Sequence, residues 1–334
     1  MNTTAITRLW ASTLPLFDKR SDVTLQDRYK GVMLGVAAGN LLGLRGEGTW
    51  KESLRRRFPG GLTDIDPAEK HRPWDDDLAQ TAVLAEALLA TNRLSLDDLA
   101  ERFLGWGREN GRGMGHLTRV VLWEMDKGRS PAEAAKYAWD NFGDTVSGKP
   151  AGNGAVMRCT PVALKWRRNP HLLVEETMRS AAITHYDPRC QWSAVAVNVA
   201  LATTLEGQYI DLSTLASALG EAGAPESVCD AIQAVEAGTL EDFDLDAIGT
   251  KGFTLKAMQA GLWCLTRNEN FEQALIAVVN EAGDTDTNGA VAGAILGGMH
   301  GDSTIPPRWL ACVPARERLG ELAEKLLSAS EKLA

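Results

Sequence analysis

The sequence predicts an all-α protein, and two observations carry that expectation. Alanine and leucine recur throughout while β-branched runs are few and short, a composition that favours helix over strand. Apolar residues also repeat at three- and four-residue spacing, as in Tyr29, Val32, Met33, Val36 and Ala37. That spacing gathers side chains on one buried helix face. Of the 334 residues 44% are hydrophobic, ample for a large core. Length alone allows two domains, but no repeat, low-complexity tract or linker interrupts residues 27–334. One compact helical domain is therefore expected over that span. Residues 1–26, polar and rich in Thr and Ser, read as an extension outside the core.

The first helix of the domain begins near Asp27. Gly31, Gly35 and Gly39 lie along it, so other backbones are expected to approach it closely. Residues 43–74 are rich in Gly, Pro and charge, and long loops of this kind in compact enzymes are usually functional. An amphipathic helix follows over 76–90, with Leu78, Ala82, Ala85, Leu88 and Leu89 on its inner stripe. Further helices are expected at 96–109, 117–128, 131–142, 155–168, 172–184, 190–205, 212–222, 226–237, 253–266, 271–281, 286–299 and 315–333. Pro131 stands near a helix start, and Gly105, Gly111, Gly113 and Gly115 crowd one loop. Trp106, Trp123, Trp139, Trp192 and Trp263 fall in helical patterns and are expected in the core.

A net charge of −9 argues against general nucleic-acid binding, where positive charge drives affinity. It leaves room for one small anionic ligand in a local pocket. The dense basic run, Arg55 to Arg57, reads as a solvated face beside the Phe58–Gly61 turn. Five cysteines lie far apart with no CxxC pair, which fits buried thiols in a reducing cytoplasm rather than a disulfide framework or a cysteine zinc site. Residues 1–20 hold no uninterrupted apolar stretch of the secretory kind. Nor does any segment approach the ~18 apolar residues of a membrane span. A cytoplasmic protein with no membrane contact is expected. No oligomer seam is readable, so a monomer is the default.

Two acidic clusters carry the chemistry. Asp75, Asp76 and Asp77 follow Pro73-Trp74 and open one helix. Asp284-Thr285-Asp286-Thr287-Asn288 follows Gly283 and opens another, whose body of small and apolar residues reads as buried. Aspartates at helix N-termini suit the local dipole and serve as caps, so a surface cap is the plain reading of either cluster alone. Carboxylates leading a buried helix, however, need a nearby cation. Clusters of Asp and Thr oxygens suit hard ions such as Mg²⁺, Mn²⁺ or Ca²⁺, not zinc.

Four segments in order resemble the ADP-ribosylglycohydrolase family over roughly residues 27–315. Gly283 to Asn288 matches the family's Gly-Asp-Thr-Asp-Thr-Asn run without substitution. Gly152-Asn153-Gly154-Ala155-Val156-Met157-Arg158, followed by Pro161, matches its Gly-Asn-Gly-x-x-Met-Arg element, and Thr184-His185 matches its Thr-His pair. Gly39-Asn40-Leu41-Leu42-Gly43 with Glu47 matches the early Gly-Asp-Ala-x-Gly segment and the glutamate beyond it. Two departures stand out. Asp75-Asp76-Asp77-Leu78 occupies the place of Thr-Asp-Asp-Thr, and Asn40 replaces an aspartate. One carboxylate is thus gained where another is lost.

The resemblance implies a single compact orthogonal multi-helix bundle and a hydrolase that cuts the glycosidic bond between ADP-ribose and its acceptor. The substrate it points to first is ADP-ribosyl-arginine on a protein, with free ADP-ribose as product. It implies two divalent cations, Mg²⁺ or Mn²⁺, held by Asp75, Asp76, Asp77, Asp284, Asp286 and the hydroxyl of Thr287. Glu47 is implied as the general acid/base, since cleavage at an anomeric carbon passes through an oxocarbenium-like state served by a carboxylate. Without the resemblance Glu47 would read as an exposed loop residue. Gly113, Met114 and Gly115 are expected to offer backbone N–H groups to the diphosphate. Gly152, Asn153 and Gly154 are expected near the distal ribose, with His185 as a substrate contact and Phe253 beside the ligand or in the core. Three other readings remain open from sequence: an ADP-ribose-binding protein of the same fold without activity, a dinuclear-metal nucleotide phosphoesterase, and an acidic helical scaffold.

Overall fold

The computed structural model describes residues 4–10, 13–15, 23–142, 151–267 and 269–333. Among these the chain runs through α1 (Thr4–Trp10), α2 (Leu25–Gly43), α3 (Lys51–Arg57), α4 (Asp76–Ala90), α5 (Leu96–Glu109), α6 (His116–Asp126) and α7 (Pro131–Asn141). It continues through α8 (Thr160–Trp166), α9 (Pro170–Ala182), α10 (Pro188–Leu205), α11 (Leu212–Ala222), α12 (Glu226–Ala237) and α13 (Thr254–Trp263). The last four are α14 (Phe271–Val279), α15 (Thr285–His300), α16 (Pro307–Leu310) and α17 (Arg316–Lys332). The strands described are β1 (Leu14–Pro15) and β2 (Gln208–Tyr209), which pair antiparallel. The all-α expectation holds, and most helix bounds lie within a few residues of those read from periodicity and punctuation.

Local chemistry explains the starts. Thr24 and Asp27 form a reciprocal capping box that opens α2, and Ser130 with Glu133 does the same for α7. Proline stands in the first turn of α7, α8, α9 and α10, where its missing N–H costs nothing.

The helix expected over 155–168 begins later. Asn153–Ala155 coils as a 3-10 turn, and α8 starts at Thr160. The short helix α3 lies inside the segment read as loop. Its Arg55, Arg56 and Arg57 are exposed in its last turn, where cations complement the helix dipole.

The N-terminal stretch does not lie wholly outside the core. Ala5, Ile6 and Leu9 of α1 are buried and pack on α9 and α11. Trp123 also departs from expectation. The buried positions of α6 include Val120, Val121, Glu124 and Met125, so Trp123 falls on the opposite face, is 56% exposed and lies beneath the Lys127 ammonium. Trp106, Trp192 and Trp263 are buried as expected, and Trp139 is half-buried, donating from Nε1 to Asp187. Among the described residues no helix is long and apolar enough to cross a membrane.

The centre of the fold is the antiparallel pair α2 and α15. The glycines expected to admit a neighbouring backbone face small residues of α15 turn by turn: Gly31 meets Gly297, Gly35 meets Gly293, Gly39 meets Gly289, and Gly43 meets Thr285. A Cβ at Gly35 would stand 2.0 Å from the Gly293 carbonyl oxygen, and one at Gly39 1.9 Å from that of Gly289. Both obstacles are backbone, so no rotamer change relieves them. Gly35→Ala is therefore expected to cost about 3 kcal/mol through overpacking. Urea unfolding would read it as a lower midpoint at unchanged slope. A midpoint equal to that of the parent would refute the close contact.

Candidate active site

This helix pair sets where the chemistry lies. The C-terminal end of α2 meets the N-terminal end of α15, and Thr285 Oγ1 donates to the Gly43 carbonyl at 2.6 Å. Just beyond, Gly48 N–H donates to Gly283 O at 2.8 Å and Gly283 N–H donates to Thr49 O at 3.0 Å. This two-bond bridge ties the Glu47 loop to the acidic run. Gly283 has φ +77°, and a Cβ there would lie 2.0 Å from the Leu245 carbonyl, so the turn requires glycine. As a result Glu47, Asp284 and Asp286 each offer an oxygen within 4.8 Å of the others. Asp75, Asp76 and Asp77 form a second group of the same span at the start of α4, which packs on both α2 and α15.

Neither cluster behaves as a set of helix caps. Asp75 and Asp284 stand at the N-cap positions of α4 and α15, yet neither side chain makes a capping hydrogen bond. Asp75 Oδ2 instead accepts from Asn40 Nδ2 at 3.4 Å, and its Oδ1 lies 3.6 Å from Arg112 Nε. The two departures from the family pattern therefore touch: the carboxylate absent at position 40 reappears on its neighbour at 75. Asp284 Oδ2 accepts from Asn153 Nδ2 at 2.6 Å.

The electrostatics are those of a crowded anionic site. Asp77 is 1% exposed and Asp286 4%, and both oxygens of Asp77 and Oδ1 of Asp286 are buried without a hydrogen-bond partner. Burial first, then the neighbouring aspartates, holds both carboxyls well above their ordinary range. Asp76 is pushed up to about 8 by burial, then by Asp75, Asp284 and Glu47. Glu47 reaches solvent and is still raised, by partial desolvation and then by Asp284 and Asp75, with Arg112 opposing. Leaving buried carboxylate oxygens unsatisfied costs several kcal/mol each. Oxygen-only donors in two such groups fit hard divalent cations. The acidic clusters could hold metal.

The clusters floor one end of a cleft of about 630 Å³. Glu47, Asp76, Asp284, Asp286 and Thr287 line that end, while Gly113, Gly115, Gly152, Asn153, Gly154, His185 and Phe253 line the remainder. Asp75 and Asp77 lie behind the wall. The Met114 side chain packs where side chains at Gly107 and Gly111 would stand, and its backbone N–H, the group expected to meet the diphosphate, donates to the Gly111 carbonyl at 3.2 Å. Phe253 lines the cleft and packs on the small cluster Ala151, Ala155, Ala181 and Cys190. A backbone bridge between Gly152 and Phe253 holds those two walls together.

Gly113 sits over the acidic cluster itself. Its φ is +76°, and a Cβ there would stand 2.5 Å from Oδ1 of both Asp75 and Asp76. Gly113→Ala is expected to displace these carboxylates and weaken divalent-ion binding by at least tenfold, as titration calorimetry would measure. Unchanged metal affinity would show that the loop yields freely.

Two cations were not singled out from sequence: Arg112, which flanks the acidic cluster, and Lys251, which lines the cleft. Arg112 bonds the Pro73 carbonyl and ion-pairs with the buried Glu69, which ties the Gly-rich loop to the acidic cluster. Its only signal was a cation between two glycines. Lys251 lies over the Trp50 ring and donates to Gly48 O at 2.7 Å. Nothing in its sequence context marked it.

Comparison with known proteins agrees with this geometry. The ADP-ribosylglycohydrolase family profile matches residues 21–333. The chain is 26% identical to the ADP-ribosylarginine hydrolase Tri1 of Serratia proteamaculans, covering 95% of this chain and 83% of that protein. It is 27% identical to the ADP-ribosyl-[dinitrogen reductase] glycohydrolase of Rhodospirillum rubrum, covering 86% and 90% respectively. A solved structure described as an ADP-ribosylglycohydrolase-related protein complex superposes with TM-score 0.71 at 28% identity, covering 92% of this chain and 99% of the other. Fold, acidic motifs and these similarities together lead to one conclusion: the chain belongs to the ADP-ribosylglycohydrolase family.

Proposed function

We propose that this ADP-ribosyl hydrolase removes ADP-ribose from arginine side chains of modified proteins, with two Mg²⁺ or Mn²⁺ ions held by Asp75, Asp76, Asp77, Asp284, Asp286 and Thr287. The observation that carries the reading is the meeting of two carboxylate groups with buried unpartnered oxygens beside Glu47 at one end of a ligand-sized cleft. Cations bound there would supply Lewis-acid polarisation and a water of lowered pKa.

The chain's own residues do the rest. Glu47, raised above the ordinary carboxylate range, can hold a proton for the leaving nitrogen or take one from water. Asn153, anchored by Asp284, orients ligand at the same end. Gly115, where a Cβ would meet nothing within 4 Å, leaves backbone open on the cleft wall, so ribose and diphosphate can approach it closely.

Arginine is favoured on two grounds. Relatives carry ADP-ribosylarginine hydrolase and ADP-ribosyl-[dinitrogen reductase] glycohydrolase names, and an anionic site suits a cationic guanidinium acceptor. The five cysteines, all free, fit the cytoplasmic compartment expected from sequence. The test is release of free ADP-ribose from arginine-, serine- and nucleobase-linked substrates at equal concentration. Arginine-linked substrate is expected to react fastest; faster release from either other linkage would overturn the acceptor assignment while keeping the hydrolase.

A further inference from the structure

Two motif residues have no place in the mechanism above. Arg158 ends the Gly-Asn-Gly-x-x-Met-Arg element, and Thr184 precedes the cleft histidine. Arg158 is 1% exposed and forms no ion pair among the described residues. Its guanidinium lies over the Phe103 ring. Nη1 donates to Gln80 Oε1 at 2.7 Å, and Nη2 donates to Thr184 Oγ1 at 2.6 Å and to Ser180 O at 3.3 Å. A buried cation without a counter-ion is costly, so a chain that keeps one needs what it does.

The hydrogen bonds beyond it give the answer. Guanidinium can only donate, so Thr184 Oγ1 accepts from Arg158. The hydroxyl has one proton to give, and the acceptor within reach is His185 Nδ1, 2.7 Å away. If His185 carried its proton on Nδ1, the buried Thr184 proton would have no acceptor, at the full desolvation cost of a polar group. Nδ1 must therefore accept, and the neutral ring carries its proton on Nε2. The ring stays neutral because burial first and Arg158 second depress its pKa to about 3. Nε2 has no protein partner among the described residues, lies against Gly152 and Gly154, and lines the cleft.

We propose that Arg158, acting through Thr184, is a positioning residue that locks His185 as a neutral Nε2–H donor aimed at an oxygen of the bound ligand. The nature of that oxygen, a hydroxyl or phosphate oxygen of ADP-ribose, rests on the function proposed above. The lock itself does not. It also joins the arginine and threonine of the two motifs in a single role, which is to present a donor whose direction and protonation do not change with pH.

The test is ¹⁵N NMR of the full chain with labelled histidine, assigning His185 by the signal lost in His185→Asn. The expected spectrum has an unprotonated Nδ1 and a protonated Nε2, unchanged between pH 5 and 8. An Nδ1–H ring, or a ring that protonates near pH 6, would overturn the proposal without touching the hydrolase reading. Thr184→Val should release the tautomer and weaken ADP-ribose binding about tenfold, and Thr184→Ser should restore both. A tautomer unmoved in Thr184→Val would sink the relay. A tautomer that moves while ADP-ribose affinity stays constant would remove the ligand contact, and so would a wild-type protein that binds no ADP-ribose.

Discussion

Glu47→Gln is expected to lower the rate of ADP-ribose release by about 10²–10⁴-fold while leaving ADP-ribose affinity within a few-fold. The amide keeps the size of the side chain and can still hydrogen-bond, but it can neither hold nor release the proton that glycosidic cleavage requires. Glu47 reaches solvent in the cleft, on a loop fixed by the Gly48–Gly283 and Thr49–Gly283 bonds, so the substitution should leave the fold intact. The variant also separates two roles. Glu47 has an oxygen within 4.8 Å of oxygens of Asp284 and Asp286, close enough to serve as a ligand. Divalent-ion affinity unchanged beside a lost rate identifies an acid/base, whereas loss of both identifies a ligand.

The second large effect is on stability in the absence of metal. Asp76, Asp77 and Asp286 all have folded-state pKa values above the ~4 of an exposed aspartate. The folded protein therefore binds these protons more tightly than the unfolded chain. The stability they contribute is fully present below about pH 4 and is lost as pH rises through the folded values, about 8 for Asp76. Chelated protein should melt roughly 5 °C lower at pH 8.5 than at pH 5.5. Saturating Mg²⁺ or Mn²⁺ should flatten or reverse that slope, because a cation replaces the protons and its binding adds stability. In Asp77→Asn the chelated slope should shrink, since one buried acid has become neutral. A chelated melting temperature that rises from pH 5.5 to 8.5 would contradict the buried, metal-free carboxylates.

Much of this architecture was readable from local rules. Helices announced themselves through a three-and-four apolar period and through Pro131 at a helix start, whereas the capping boxes at Thr24 and Ser130 became evident only in the structure. The central helix pair was foreshadowed by Gly31, Gly35 and Gly39, although the partner helix became identifiable only in three dimensions. Glu47 was assigned by resemblance alone, because its position comes from a bridge to Gly283 more than two hundred residues away. Asn40 and Asp75 were visible as separate departures, and their hydrogen bond makes them a single one. Trp123 departs from its core assignment because periodicity does not say which side of a short helix a side chain takes. Arg112 and Lys251 were missed because a lone cation in a Gly-rich loop has no periodic or spacing signal. Residues 143–150, between α7 and the Gly152 turn, lie outside the described residues.

The most direct measurement is the release of free ADP-ribose from ADP-ribosyl-arginine protein by the chelated enzyme, before and after adding Mg²⁺ or Mn²⁺, alongside Asp286→Ala. Release that requires the added ion and disappears in the variant is expected if the two buried carboxylate groups form a metal-dependent hydrolytic centre. Full release in the presence of chelator, or full activity of Asp286→Ala, would contradict it.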